Sequence, residues 1–508
     1  MGAGLPFAED EHRWRLDVTR RRLLQGMLAT AGLAATGAGV SSWLTQGPAR
    51  ASGAMLGPGS RPNPAKPEGT DLLPKIEHIV IYMQENHSYD NYFGTLARGD
   101  GFTLGPGGLP TNSNVDGDGN TITAFHQAST CDVITGDHGW NGTHRSWNNG
   151  AMDGFAKASG AHVMGYYDET NLPFYHGLAS TFPICDRWFS SVLGPTHPNR
   201  RFLQAGTSDG MVTTDINEVL AHPTAPNGTI WDRLDAHGIT WKDYAIDLWD
   251  ILLYPGPSTK DFLTKTEDNR RYFKDFLSDC YAGTLPAVSI IAPGTKDQYD
   301  EGSRDSQNGE AYSSSIINAV LFSPVWEKTA VFFCYDEHGG GYDHVPPPAA
   351  VAPDNTPPRI DVGSGDQPGD FAQYGIRVPG FVISPYAKKD YVSHVVHDHT
   401  SILKFIETKW NLGAMTYRDA NADNLLDCFD FKNPGFMTPP MLPDPGLPLT
   451  GSTCQPQPYP ASNPKQTPVT TTTTTTTSTV PGSSTTTTTT APAAAPATAI
   501  PGNATFTG

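Results

Sequence analysis

Two short stretches set acids beside amide and histidine side chains, each directly after an apolar run. Gln84-Glu85-Asn86-His87-Ser88-Tyr89-Asp90 follows IEHIVIYM (Ile76 to Met83), and Asp336-Glu337-His338-Gly339-Gly340-Gly341-Tyr342-Asp343-His344 follows AVFFCY (Ala330 to Tyr335). No cation adjoins either group of acids in sequence. Carboxylates brought together need a metal or a shared proton, although either stretch alone also reads as a helix cap with solvated acids. A third segment, SSVLGPTHPNR (Ser190 to Arg200), has Gly194, Pro195 and Pro198 to fix a tight turn with Thr196 at its tip. A fourth, Asp137 to Phe155, sets His138 and His144 among Gly and Asn, as exposed loops do. His399 opens HTSILKFIE, where it also reads as an ordinary first-turn residue.

These residues need a frame that brings them together. Ile76 to Met83, Ala287 to Ile291, Ala330 to Tyr335 and Val378 to Ile383 are short apolar runs of buried-strand type. Helix-like segments lie between and after them: Thr229 to His237, Tyr272 to Ala282, Ser313 to Leu321 and Thr400 to Trp410. This alternation predicts an α/β fold with a central, mostly parallel sheet flanked by helices. Ligands collect beyond the carboxyl ends of the strands in such sheets, which is where the two acidic stretches fall.

The chain has 508 residues, with 34 Lys+Arg against 52 Asp+Glu and a formal charge of −18. That balance argues against a nucleic-acid partner, because phosphate backbones select cations. TRRRLLQG (Thr19 to Gly26) precedes a short, mildly apolar stretch, and ARAS (Ala49 to Ser52) offers a small-x-small cleavage site. Residues 1–51 therefore resemble a twin-arginine export signal, which implies passage of a folded protein through the twin-arginine translocation machinery to the cell envelope or medium. Residues 52–74 are expected to be a linker and residues 75–450 the catalytic domain. Residues 451–508 hold 20 Thr and one charge, Lys465, and are expected to form a disordered Thr/Pro-rich tail. No other stretch approaches the ~18 apolar residues of a transmembrane span. The six cysteines (131, 185, 280, 334, 428, 454) contain no CxxC pair, which argues against a thiolate metal site, and Cys334 reads as a buried thiol.

Taken in order, ENHSYDNYFGTL (85 to 96), DRWFSSVLGPTHPNR (186 to 200), DEHGGGYDHVPPP (336 to 348) and HTSILKFIE (399 to 407) resemble the bacterial phosphoesterase family. That family holds phospholipases C and a group of acid phosphatases within the alkaline phosphatase superfamily. The resemblance implies one divalent metal ion (Ca, Mg, Mn or Zn) on Glu85, Asn86, Asp336 and Glu337. It implies Thr196 as nucleophile, with His138, His344 and His399 around the phosphoryl group and Asn86, Asn199, Arg200 and His144 as substrate contacts. The implied partner is a phosphate ester, foremost a phospholipid head group. His87 stands where the phospholipases commonly have Arg, and His338 where Asn is commoner. These departures are expected to touch substrate preference and not the metal ligands. The Thr tail stands where longer phospholipases C carry β domains.

Oxygen ligands suit a hard divalent ion, and a metal-activated threonine hydroxyl attacking phosphorus gives a covalent phosphothreonine that water then hydrolyses. Three alternatives remain. One is phosphomonoester hydrolysis by the same site. Another is a serine esterase, since Gly206-Thr207-Ser208-Asp209-Gly210 matches GxSxG and the order Ser208, Asp336, His399 is that of α/β-hydrolases. The third is a non-catalytic surface binding protein on a Thr stalk.

Overall fold

The computed structural model describes residues 55–131, 134–294 and 305–446. The expected export signal, Cys454 and the Thr-rich segment 451–508 lie outside the described residues.

Eight strands form the main sheet: β1 (His78–Gln84), β2 (Ile184–Cys185), β3 (Trp241–Ala245), β4 (Arg270–Tyr272), β5 (Val288–Ile291), β6 (Thr329–Tyr335), β7 (Gly380–Ile383) and β8 (Val392–Ser393). Their order across the sheet is β8-β2-β7-β6-β1-β5-β3-β4. β1 lies at the centre, parallel to β6 on one side and to β5 on the other. The expected α/β class and mostly parallel sheet are found, with one exception: β7 runs antiparallel to β6 and to β2. Every residue from Ile79 to Gln84 and from Thr329 to Tyr335 is buried. Such runs have no polar face because helices cover the sheet on both sides. Tyr82 and Phe333 stack across the β1/β6 seam with ring centroids 4.8 Å apart.

The helices that carry site residues are α1 (Tyr89–Phe93), α2 (Trp140–Trp147), α3 (Thr196–Ala205) and α4 (His399–Trp410). α3 begins after Pro195 and ends at Gly206, whose φ of +71° closes the helix. α4 starts at Asp398 with a reciprocal Asp398/Ser401 capping box and packs against α3. The helix expected from Ser313 begins earlier, at Ser306, because the Asp305 side chain accepts the Gln307 N–H and caps it there. Residues 55–74, expected as a linker, are bonded along the end of α4. Leu72 N donates to Lys409 O at 2.7 Å, and Asn411 Nδ2 donates to the carbonyls of Asn63, Lys66 and Pro67.

Candidate active site

The parallel register of β1 and β6 pairs Gln84 with Tyr335, so the acids that follow each strand emerge side by side. Asp336 N donates to Gln84 O at 3.0 Å and continues the ladder one step past the strand end. Asn86 Nδ2 donates to Glu337 Oε1 at 2.6 Å, which ties the two stretches together. Glu85, Asn86, Asp336 and Glu337 are thus brought to one sheet edge, as the strand pattern predicts.

The glycines after Glu337 explain how a third segment reaches this edge. Gly339 has φ +62°, and a Cβ there would stand 2.3 Å from Asn86 O. Its N–H donates to Glu337 Oε2 at 2.8 Å, and its carbonyl accepts from Gly136 N at 2.8 Å. The 136–138 loop is held against the Gly-rich turn, which places His138 Nε2 3.9 Å from Glu337 Oε1. His138 Nδ1 pairs with Gly136 O at 2.9 Å.

Sequence alone did not reveal the charge that sits among the acids. Arg200, one helical turn after Thr196, is buried with Nε 3.1 Å from Asp336 Oδ2, Nη2 3.3 Å from Glu85 Oε1 and Nη1 3.1 Å from Asp250 Oδ2. The premise that these carboxylates lack a cation holds for the sequence neighbourhood and not in space. Its Nη2 also donates to Met83 O at 3.3 Å, so the expected substrate contact is also an internal brace. Burial pushes the Asp336 carboxyl well above the usual range against the pull of Arg200, with Glu85 and Glu337 adding to the rise. Burial also pushes Glu337 up, but His138, His338 and the Gly339 N–H outweigh it and its carboxyl sits low.

Thr196 is the first residue of α3 and half-buried. Its turn is held by Asn199, which is fully buried: Nδ2 donates to Gly194 O at 2.9 Å and Pro195 O at 3.0 Å, and Oδ1 accepts from Val192 N at 3.0 Å. Asn199, expected to touch substrate, therefore spends its amide on the turn. Ser191 Oγ donates to Asp398 Oδ2 at 2.8 Å and couples that turn to the start of α4. There His399 Nε2 is 2.7 Å from Asp336 O. Because a carbonyl can only accept, Nε2 carries the proton and Nδ1 is bare. Among the described residues Nδ1 has no hydrogen-bond partner, and burial pushes the ring's pKa down to about 4.

His344 belongs to an adjoining network. Its Nδ1 pairs with Asp90 Oδ2 at 2.6 Å and its Nε2 faces Asp100 Oδ1 at 3.4 Å. Arg377, wholly buried, bonds Asp90 Oδ1 and Asp343 Oδ1, each at 2.9 Å. Burial lowers the His344 pKa, but the Asp90 hydrogen bond and charge more than offset it, so the ring holds its proton above the ordinary range. His144 pairs instead with Trp140 O at 2.7 Å and lies against the Trp140 ring. Asp250 and Arg377 carried no local motif in the sequence. Asp90 and Asp343 did lie within the two acidic stretches.

The two departures differ in outcome. His87 is buried, pairs with Asn91 and stacks on Tyr92, facing the core. His338 Nδ1 lies 3.3 Å from Glu337 Oε2, so this departure does touch an expected ligand. Among the described residues the GxSxG serine has no triad: Ser208 lies buried in a turn after α3, and neither its Oγ nor His399 Nδ1 has a hydrogen-bond partner there.

A divalent ion fits this donor set on one specific ground. Asn86 Oδ1 is fully buried without a hydrogen-bond partner among the described residues, beside the carboxylate its own amide nitrogen binds. An orphaned buried carbonyl costs about 1–3 kcal/mol, which a cation would recover. All four candidate ligands offer oxygen, the donor a hard ion prefers.

Residues 76–413 match the model of the phosphoesterase family. The chain is 33% identical over 420 residues to the non-hemolytic phospholipase C of Pseudomonas aeruginosa, covering 73% of this chain and 60% of that protein. It is 33% identical over 433 residues to phospholipase C B of Mycobacterium tuberculosis, covering 74% of this chain and 81% of that one. A solved protein of the alkaline phosphatase superfamily from Vibrio parahaemolyticus superposes with a TM-score of 0.30 at 12% identity, over 63% of this chain and 74% of that chain, too loosely to add weight. The matched region contains both acidic strand ends, the Thr196 turn and His399, and on that extent of agreement the chain belongs to the phosphoesterase family.

Proposed function

We propose that this chain is a phospholipase C-type hydrolase that cleaves phosphodiesters of phosphatidylcholine-type lipids between diacylglycerol and phosphate, with Thr196 as nucleophile. The observation that carries the reading is Arg200. One turn from Thr196 on the same helix, it is bonded to Glu85 and Asp336, which ties the helix that begins at Thr196 to the acids after both strands and supports the reading. The relatives' phospholipase C names support the choice of substrate class.

A divalent ion held by Glu85, Asn86, Asp336 and Glu337 would supply charge stabilisation for the phosphoryl oxygens. The rest falls to the chain itself. Thr196 sits at the positive end of α3, where a developing alkoxide is favoured by ~0.3–1 kcal/mol. Its Oγ bonds to phosphorus as the diacylglycerol oxygen departs, and the threonine proton passes to a base. His399 Nδ1, bare and unprotonated near neutral pH, is of the type to accept a proton. His344, whose pKa Asp90 raises, is of the type to deliver one to the leaving alkoxide. Water then attacks the phosphothreonine and releases the phosphorylated head group, restoring Thr196. His138 would orient Glu337, and Asn199 would set the Thr196 turn. His144, behind Trp140, would meet substrate only at the periphery.

Export by the twin-arginine route belongs to the same reading, and it is supported by the TRRRLLQ motif. Among the described residues no helix is long and apolar enough to cross a membrane. The test is a substrate panel on the mature protein: phosphatidylcholine, a chromogenic diester and a chromogenic monoester, each with and without chelator. Chelator-sensitive release of diacylglycerol is expected. Turnover of the monoester alone would make the chain an acid phosphatase of the same family, and chelator-insensitive turnover would refute the metal site.

A further inference from the structure

Far from the acids in sequence, four side chains meet at the β2/β8 end of the sheet without a role in the site above. Cys185 ends β2, His397 follows β8, and Asp427 and Cys428 lie in the turn after Leu425. We propose that Cys185, Cys428, His397 and Asp427 form a second, structural metal site of tetrahedral zinc type.

Cys185 Sγ and Cys428 Sγ are 3.9 Å apart, Cys428 Sγ and Asp427 Oδ1 3.7 Å, and His397 Nε2 and Asp427 Oδ1 3.7 Å. Ligand atoms of Cys185, His397 and Cys428 all lie within 4.8 Å of one another. With Zn–S near 2.3 Å and Zn–N and Zn–O near 2.0–2.2 Å, the edges of a ligand tetrahedron are about 3.3–3.8 Å. These three distances fall within about half an ångström of that range. They are too long for strong imidazole–carboxylate or thiol–carboxylate hydrogen bonds. A disulfide is also available to this chain, since Cys131 is disulfide-bonded, yet Cys185 and Cys428 are free thiols.

The surroundings match what a metal-bound imidazole requires. His397 Nδ1 lies 3.2 Å from Asp423 Oδ1, so a carboxylate stands on the far side of the ring from the proposed ion. Ser393 Oγ lies 2.9 Å from His397 Nε2 and donates to Asp427 Oδ2 at 2.5 Å. Loading would exchange the Ser393–His397 bond for a metal bond and keep the serine on Asp427. Cys185, Cys428 and His397 are buried, which closes the site to substrate and suits a structural ion. Two thiolates select zinc over the hard ions that suit the oxygen-lined site. Sequence spacing hides the site because its ligands come from positions 185, 397 and 427–428, and no CxxC pair announces it. Such an ion would staple the turn at 423–428 to the sheet edge.

The experiment is mercurial titration of the purified full-length protein with a chromogenic zinc chelator present. Release of about one zinc per chain on thiol modification is expected, separable from any oxygen-bound ion because thiol reagents do not displace that. Cys280→Ser should keep the release, and Cys185→Ser and Cys428→Ser should lose it. Cobalt substitution should give a thiolate-to-cobalt charge-transfer band in the wild type. If the cysteine variants fail to fold, the wild-type measurements decide alone. Thiols that titrate without releasing zinc, or a Cys185–Cys428 disulfide in a non-reducing peptide map, would overturn the proposal.

Discussion

Arg200 Nε lies 3.1 Å from Asp336 Oδ2, joining helix α3 to the end of strand β6 across 136 residues of sequence. The pair is fully buried and shares its charge with Glu85 and Asp250. Replacing Arg200 by Met leaves three carboxylates around an uncharged side chain, and breaking a buried pair in this way costs about 3–5 kcal/mol. Denaturant unfolding should show that loss. Arg200→Lys, which keeps the charge but loses the planar fork, should lie between the two. An unchanged midpoint in Arg200→Met would mean that the acids are neutralised by other means.

Asn199 should act through Thr196 rather than on substrate. Asn199→Ala strips the Gly194 and Pro195 carbonyls and the Val192 N–H of their partner and frees the turn. A small displacement of a reacting group costs on the order of 100-fold, so kcat should fall by about that factor while KM and metal content stay near wild type. A rise in KM alone would place Asn199 in substrate binding.

The proton on His344 is held by Asp90, and that gives the activity a pH signature. Asp90→Asn removes the charge that raises the His344 pKa, so the imidazolium is lost at lower pH. The alkaline limb of the kcat profile should therefore move toward lower pH. An unmoved limb would remove His344 from the role of proton donor.

Much of this arrangement could be read from the sequence, because the apolar runs at 76–83 and 330–335 have the length and composition of two-sided buried strands. Their pairing as neighbours brought both acidic stretches to one edge. What could not be read were partners fixed only by tertiary packing. Arg200 looked like a turn residue beside Pro198, and nothing local indicated that its side chain crosses to Asp336. Arg377 lies in GIRVPG without any charged neighbour, although it binds two buried aspartates. Strands of two or three residues, such as Ile184–Cys185 and Arg270–Tyr272, are too short to carry a period. Their places depend on the neighbours they bond.

His176 offers a test of the core away from the site. It is buried, its Nε2 has no hydrogen-bond partner among the described residues, and burial pushes its pKa down to about 4 from an unfolded value near 6.5. The folded state then binds this proton less readily than the unfolded chain. Its contribution is full above about pH 6.5 and is lost as pH falls through about 4. The loss attributable to this residue is about 2–3 kcal/mol. His176→Phe, beside Phe93, should lose less stability between pH 7 and pH 4 than wild type, measured by denaturant midpoints at both values. Equal losses in the two proteins would assign the acid sensitivity to other groups.

The most direct measurement is intact-protein and peptide mass spectrometry of enzyme quenched in acid during turnover of phosphatidylcholine. A head-group phosphate adduct on Thr196 is expected in the wild type. Thr196→Ala should show no adduct and no diacylglycerol release while keeping its fold and metal, and Ser208→Ala should behave as wild type. An active Thr196→Ala, or an adduct on any residue other than Thr196, would contradict the mechanism.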